Sequence, residues 1–300
     1  MDHGLWAKAP DAGLTTVDQV IDRFITEVSS ARPLGRSKLH SLRLTSRAFK
    51  GVKVQDLSPH DVMEIGKERR AEIAKSTLQQ QLTFFAQAID IGRTLWGLDL
   101  KDKSVRAAMK VMSQLSMTGG SRKRDRRVNP GEIESILSEA PSGHWIIPVV
   151  RIAIESGMRQ KEIAELYWED ICFEKKTILI RDRKHPTEKE GNHQLIPLLP
   201  AVEALLRAER EVSKGVGKVF SVENASSVSD RFARTCKRAG VEGLRFHDLR
   251  HEAISRMFEP GMSIPEVAAI SGHRTWTQLK RYTNLKPIDL IEAFQRGLEA

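Results

Sequence analysis

The sequence predicts a mainly α-helical protein of two domains, the second of which carries a small antiparallel β-sheet. Three observations predict this. Apolar residues recur at helical spacing early in the chain (Val17, Val20, Ile21, Phe24, Ile25, then Leu78, Leu82, Phe85, Ile89, Ile91, Leu95), with no alternating run among them. The stretch Gly119-Gly120-Ser121-Arg122-Lys123-Arg124-Asp125-Arg126-Arg127 has no apolar side chain to bury, so it reads as a linker. Beyond it, Thr177 to Ile180 and Gln194 to Leu198 read as two short strands joined by a charged loop from Arg181 to His193. With 300 residues and 40% hydrophobic content the chain can bury two cores. The expected domains are therefore residues 1–118, a basic linker 119–127, and residues 128–300.

The elements follow in order. In the first domain, Asp56-Leu57-Ser58-Pro59 and Ser76-Thr77 are helix starts within a helical bundle of about 100 residues. In the second, Asn129-Pro130-Gly131-Glu132 opens a helix, and Ile146 to Ile154 forms an apolar helix that stops at Gly157. Ile163 to Trp168 reads as apolar helix holding Tyr167 in the core. Further helices are expected from Pro200, from Ser227 and from about His247. The longest apolar stretch, Trp145 to Val150, is broken by Arg151, far short of the roughly 20 residues a bilayer span needs. Met1 to Lys8 lacks a basic segment followed by an apolar one, so a cytoplasmic location is expected. Cys172 and Cys236 form neither a disulfide framework nor a metal-spacing motif.

The net charge of +9 is localised. Residues 1–118 hold 18 basic against 13 acidic side chains and residues 119–127 hold 5 against 1, whereas residues 128–300 balance at 25 each. From Arg32 to Lys53 there is no acidic residue, and on a helix Arg36, His40, Arg43, Arg47 and Lys50 share one face while Leu39, Leu42 and Phe49 turn inward. Such a stripe is an electrostatic footprint for phosphate. It is also what an ordinary solvated helix face looks like. The candidate DNA-binding residues are Arg36, Arg43 and Arg47, with Arg122, Lys123 and Arg124 of the linker.

The second domain holds the residue types that phosphoryl transfer needs. Arg159 follows Gly157 and begins a helical turn with Glu162 three residues on, which fits either a phosphate clamp or a buried structural pair. Lys184 lies in the hairpin loop among Arg181, Arg183, His185 and Lys189, where exposed cations are ordinary. His247 and Arg250, at i and i+3, project from one helix face and could reach a single phosphate. Two arginines offer forked donors to the nonbridging oxygens of a phosphodiester. Of two tyrosines, Tyr282 stands among Lys280, Arg281 and Thr283, where cations and a histidine base would help a phenol of pKa about 10 to attack.

His247-Asp248-Leu249-Arg250-His251, then Ser271-Gly272-His273, then Tyr282, resemble the ordered catalytic boxes of the tyrosine recombinases of the phage-integrase family, and Gly157 to Ile163 resembles their first arginine box. The strand-loop-strand carrying Lys184 is similar to that family's lysine hairpin, although the loop is longer and more charged. The resemblance covers the whole chain and implies a helical core-binding domain of SAM-like fold, a basic linker and a tyrosine-recombinase catalytic domain, closing on duplex DNA as a clamp. It implies that Tyr282 attacks the scissile phosphorus to form a 3'-phosphotyrosyl link, with Arg159 and Arg250 clamping the phosphate. Lys184 would protonate the leaving 5'-oxygen, His247 act as acid and base, His273 hydrogen-bond the phosphate, and Glu162 orient the site. Neither metal nor ATP is implied. Pro287 to Leu298 reads as an amphipathic helix, which in the family often docks on a neighbouring subunit. The implied state is a homotetramer on two DNA sites, with a DNA-bending accessory protein as a further partner and no membrane. The implied role is integration or excision of a mobile element.

Three other readings bear on the same residues. A type IB topoisomerase uses a similar set to nick and reseal one duplex. A non-cleaving DNA-binding regulator would account for the helix-turn-helix character of Ile264 to Tyr282, though not for the isolated tyrosine. A zinc site on His247 and His251 lacks the glutamate of the metalloprotease pattern, where Asp248 stands, and a third ligand.

Overall fold

A computed structural model describes residues 15–98, 104–121, 124, 126–183 and 191–282. The chain divides into two compact units, Met1–Arg124 and Asp125–Ala300. It is mainly helical with one three-stranded antiparallel sheet, and among the described residues no helix is long and apolar enough to cross a membrane.

Among the described residues the first unit is helical, with α1 (Val17–Ala31), α2 (Arg36–Ala48), a 3-10 turn at Val54–Asp56, α3 (Pro59–Glu72), α4 (Lys75–Trp96) and α5 (Ser104–Gln114). The 3.6-residue period sets the core. Val17, Val20, Ile21 and Phe24 of α1 meet Leu78, Leu82, Phe85 and Ile89 of α4, with Leu42 of α2 and Met112 of α5 completing it. Leu95 instead lies at the surface. Ser58 caps α3, accepting from the Asp61 amide, as its sequence predicts. The start of α4 lies at Lys75, with Ala74 rather than Ser76 or Thr77 at the cap.

The second unit begins with α6 (Pro130–Ser138), capped by Asn129, and α7 (Ile146–Ser156), followed by the short α8 (Gln160–Ala164). Gly157 ends α7 with a positive φ of 63°, a left-handed turn that costs glycine nothing. Strands β1 (Ile171–Cys172), β2 (Thr177–Ile180) and β3 (Gln194–Pro197) pair in the order β1-β2-β3. Then come α9 (Pro200–Ser213), α10 (Ala225–Arg238), α11 (Phe246–Phe258), α12 (Ile264–Ser271) and α13 (Trp276–Leu279), with a 3-10 turn at Lys280–Tyr282. Val149, Val150, Ile152 and Ala153 of α7 are completely buried, while Arg151 keeps one side of the helix at the surface. α7 packs against α9 and α11. A smaller cluster of Ile254, Met257, Val267, Ile270 and Leu279 joins α11, α12 and α13, and Tyr282 packs on it.

One expectation changes and one element is added. The helix around Ile163 stops at Ala164, so Tyr167 is not helical; it is half-buried in extended backbone bridging to Lys218, with the Arg181 guanidinium 5.0 Å over its ring. Strand β1, two residues long, was below what alternation can reveal.

The last residues of the basic run are tied into the second unit. Arg126 pairs with Glu132 (2.6 Å), and Arg127 pairs with both Glu252 (2.6 Å) and Glu259 (2.7 Å). Glu252 is buried and also accepts from the Val128 amide (3.1 Å) and from Arg256 (3.0 Å). Burial pushes this carboxyl up, but Arg127, the Val128 amide and Arg256 outweigh it and hold the pKa down to about 2. A carboxylate with a depressed folded-state pKa contributes stability above its ordinary value of 4.5, and that contribution is lost as pH falls toward 2. Glu252→Gln is therefore expected to lower stability at pH 7 by about 2 kcal/mol, the cost of leaving Arg127 and a buried amide poorly paired. In urea unfolding the difference from the unsubstituted protein should shrink between pH 4.5 and 2; a difference that is constant with pH would contradict the assignment.

Candidate active site

The candidate site is organised by one helix end. An α-helix leaves its last carbonyls without intrahelical donors, and its dipole makes that end negative. At the end of α12 three successive carbonyls are each taken by a different guanidinium. Arg183 Nη2 donates to Ile270 O (3.0 Å), Arg250 Nη2 to Ser271 O (2.7 Å) and Arg159 Nη2 to Gly272 O (3.1 Å). These arginines come from the end of the β2 hairpin arm, the middle of α11 and the start of α8. The α12 terminus gathers them, and the next residue is His273.

Arg159 caps α8. Its amide donates to Glu162 Oε2 (2.9 Å) while its Nη1 donates to Glu162 Oε1 (2.7 Å). The pair that the sequence offered as a structural alternative thus exists, and it also aims Arg159 at the α12 turn. Glu162 is buried and accepts from Arg183 Nε as well (3.1 Å). Burial raises its pKa, but Arg183 and Arg159 overcome that and keep the carboxyl below its ordinary range. Arg250 is 3% exposed, and its Nη1 donates to the carbonyl of Gly157, where α7 stops. Burial, and then the neighbouring Arg159, pulls Arg250 down to about 9, so it remains charged at neutral pH.

Arg183 is a correction to the sequence reading, which placed it among exposed loop cations. It is 2% exposed and donates to Glu162, to Gln194 Oε1 (2.9 Å) and to Ile270 O. Residue parity along β2 buries Ile178 and Ile180 and would bring Asp182 inward. Asp182 instead takes a positive φ of 44°, which shifts the parity and turns Arg183 in. The hairpin base is closed there: Arg183 N donates to Asn192 O (2.8 Å) and Asn192 Nδ2 to Arg183 O (2.6 Å). Lys184, the next residue, lies outside the described residues.

Arg183 also explains Gly272. Gly272 has a φ of +68°, and a Cβ there would fall 2.3 Å from the Arg183 guanidinium carbon, so only glycine lets the α12 turn sit on this side chain. The turn presents His273, whose Nδ1 lies 2.7 Å from Ser271 Oγ. Burial, followed by Arg250, Arg159, Arg183 and His251, pulls the His273 imidazole down to about 3. His273 is thus neutral at physiological pH.

His247, at the start of α11, is exposed, with its ring edge-on to His251 at 4.7 Å between centroids. Tyr282 is half-buried, and its hydroxyl meets His251 Nδ1. Its phenol is near enough to Arg250 to act on the charge of that guanidinium. The structure therefore brings Arg159, Glu162, Arg250 and His273 into one network, with Tyr282 and His247 linked to its edge through His251. Arg183 and His251 are the members that sequence reasoning passed over. The helix-turn-helix shape of α12 and α13 is present, and its turn holds His273 against the buried arginines.

A family model described as the phage integrase family matches residues 126–287. The chain belongs to that family. Curated relatives include the shufflon-specific DNA recombinase of Escherichia coli, 31% identical over 235 residues that cover 76% of this chain and 56% of that protein. The integrase of Salmonella phage P22 is 27% identical over 190 residues, 57% of this chain and 46% of that one. The matches thus span about half the length of these two relatives. Among solved structures, a lambda integrase (75-356) dimer bound to a COC' core site superposes with a TM-score of 0.72 at 17% identity, covering 90% of this chain and 96% of that one. The Tn1549 transposon integrase in complex with transposon right end DNA gives 0.71 at 15% identity, covering 95% and 100%. At these identities the likeness establishes the phage-integrase fold.

In the first unit, Arg36, His40, Arg43 and Arg47 are exposed along α2, with Lys50 exposed just beyond it, while Leu42 and Phe49 are buried and Leu39 half-buried. Lys38 lies off that face: its ammonium donates to Gln87 (2.9 Å) and lies over the rings of Phe24 and Phe84. Arg124 is half-buried, and Arg122 and Lys123 lie outside the described residues, as does the tail from residue 283.

Removing Arg183 leaves Glu162 with one guanidinium partner fewer and Ile270 O uncapped. Arg183→Met is expected to destabilise the protein by about 3 kcal/mol, at the lower end of the cost of breaking a buried ion pair. Arg183→Lys should recover only part of this, because one ammonium cannot reproduce a fork spread over three acceptors. Thermal unfolding of the three proteins checks this; equal stability of the Met variant and the parent would refute the role.

Proposed function

We propose that this chain is a site-specific DNA recombinase that cleaves and rejoins duplex DNA through Tyr282, for integration or excision of a mobile element in the cytoplasm. The observation that carries the reading is the convergence of Arg159, Arg250 and His273 on one helix end with Tyr282 beside them. Three guanidinium groups stand against the single carboxylate of Glu162, which is bonded to Arg159 and Arg183 and acts on Arg250 only through its charge, so the cluster keeps a positive surplus suited to a phosphodiester anion. Such groups are held in place before the DNA arrives and need little reorganisation as charge develops at phosphorus.

In this reading Tyr282 Oη attacks the scissile phosphorus, the 5'-oxygen leaves, and the bond energy is retained in a 3'-phosphotyrosyl link. A 5'-hydroxyl from the partner strand then reverses the step. Arg159 and Arg250 clamp the nonbridging oxygens. Lys184, carried next to the buried Arg183, protonates the leaving 5'-oxygen, and the exposed His247 serves as acid and base. His273, being neutral, acts as a hydrogen-bond donor rather than a cation. Ser271 has one hydroxyl proton and two neighbours for it, Val267 O (2.6 Å) and His273 Nδ1 (2.7 Å). When the proton goes to Nδ1, Nε2 carries its own and can donate to a phosphate oxygen.

The α2 stripe of Arg36, Arg43 and Arg47, with Arg122, Lys123 and Arg124 of the linker, supplies phosphate contacts that position the protein without reading sequence. The working assembly in this reading is a homotetramer on two DNA sites, with the tail beyond residue 283 joining protomers.

Incubation with a nicked suicide substrate tests the chemistry. The parent protein should form a covalent adduct mapping to Tyr282, and Tyr282→Phe should bind the same DNA and form none; an adduct that persists in the Phe variant would remove Tyr282 as nucleophile. The stripe is tested by salt. Arg36→Ala, Arg43→Ala and Arg47→Ala together should flatten the slope of log K against log salt concentration by about 0.9 for each phosphate they cease to neutralise. An unchanged slope would return the stripe to an ordinary solvated face.

A further inference from the structure

We propose that His251 is a catalytic residue of this site: the group that accepts the Tyr282 proton as the phenol attacks. The proposal rests on the reading of Tyr282 as nucleophile and refines the acid-base work given there to His247, naming the histidine that receives the phenol's own proton. Lys184 serves the leaving group on the other side of the phosphorus. His273 Nδ1 is engaged with Ser271, and His247 sits exposed at the opening turn of α11.

The geometry places His251 at the phenol. Positions 251 and 258 are seven residues apart, two turns along one face of α11. Between their rings lies Tyr282: the Phe258 ring is nearly parallel to the phenol at 6.5 Å between centroids, and the His251 ring is tilted 35° to it at 5.7 Å. His251 Nδ1 makes the hydrogen bond to Tyr282 Oη. The phenol is fixed at its body by Phe258 and the α11–α13 cluster, and at its oxygen by an imidazole nitrogen. Among the described residues, the titratable and charged groups that face His251 include His247 on its own helix, Tyr282 on the 3-10 turn, and Arg250 with His273 of the α12 turn.

A neutral imidazole with its proton on Nε2 presents a lone pair at Nδ1. As the bond from Oη to phosphorus forms and the bond from phosphorus to the 5'-oxygen breaks, the phenol proton passes to His251 Nδ1, leaving an imidazolium. The departing 5'-oxygen takes its proton from the acid on its own side. In rejoining, the 5'-hydroxyl attacks, the phenolate leaves, and the imidazolium returns the proton to Oη.

His251→Asn offers the phenol an amide oxygen that can accept a hydrogen bond but cannot take the proton, and His251→Ala removes both functions. Single-turnover cleavage is measured at equal DNA occupancy on an ordinary nicked suicide substrate and on one with sulfur in place of the bridging 5'-oxygen. A thiolate leaves without protonation, so sulfur rescues the loss of a leaving-group acid and not the loss of a nucleophile's base. Both variants should bind DNA normally and cleave about 100-fold more slowly on both substrates, the lower range of general-base effects. Free imidazole should restore cleavage to His251→Ala. Parent-like cleavage by His251→Asn would overturn the proposal, as would recovery on the sulfur substrate alone, which would place His251 on the leaving group. A parent adduct mapping to a residue other than Tyr282 would instead overturn the nucleophile reading on which the proposal stands.

Discussion

The site depends on the unsatisfied end of α12. Three carbonyls that a helix cannot satisfy from within are the feature around which Arg159, Arg183 and Arg250 assemble, although they lie in three separate stretches of sequence. Helix ends of this kind are more often closed by a glycine turn and water. Here the glycine turn exists at Gly272, and the donors are side chains that also carry charge. The same hydrogen bonds therefore fold the second unit and concentrate positive potential beside His273.

This dual use dissolves a choice that the sequence left open. A buried arginine-glutamate pair and a phosphate clamp looked like competing explanations of Arg159 and Glu162. In the structure the pair exists and turns Arg159 toward the end of α12, since Glu162 holds both the amide and the guanidinium of Arg159, so a structural pair and the proposed clamp do not exclude each other. Desolvation acts on the ensemble in a consistent direction: it weakens the hold of Arg250 on its proton and keeps His273 neutral. Charge is thus confined to the guanidinium groups, and the histidine beside them is left with a directional role.

Much of the architecture was legible because the local signals were strong. Asn129 before Pro130, the apolar run that stops at Gly157, and the two strands around the charged loop all fall where capping and alternation put them. The site residues Arg159, His247, Arg250, His273 and Tyr282 were legible as residue types in order, and nothing local could say how they would meet. Arg183 was misread because one left-handed residue, Asp182, inverted the inward and outward faces that follow β2. His251 was passed over because its partner is 31 positions away, and only the packing of the 3-10 turn on α11 joins them. Tyr167 was misplaced because the apolar content of Ile163 to Trp168 suits a buried segment of any conformation, and α8 ends after one turn.

Sharing Glu162 between two arginines has a consequence for how this part of the sequence can drift. Energies at positions 159, 162 and 183 are not separable, because each substitution alters what the remaining two are worth. A replacement at one of them is tolerated or rejected according to what already stands at the others, so viable histories of this pocket run through paired changes, and single-site scans describe only the background in which they were made.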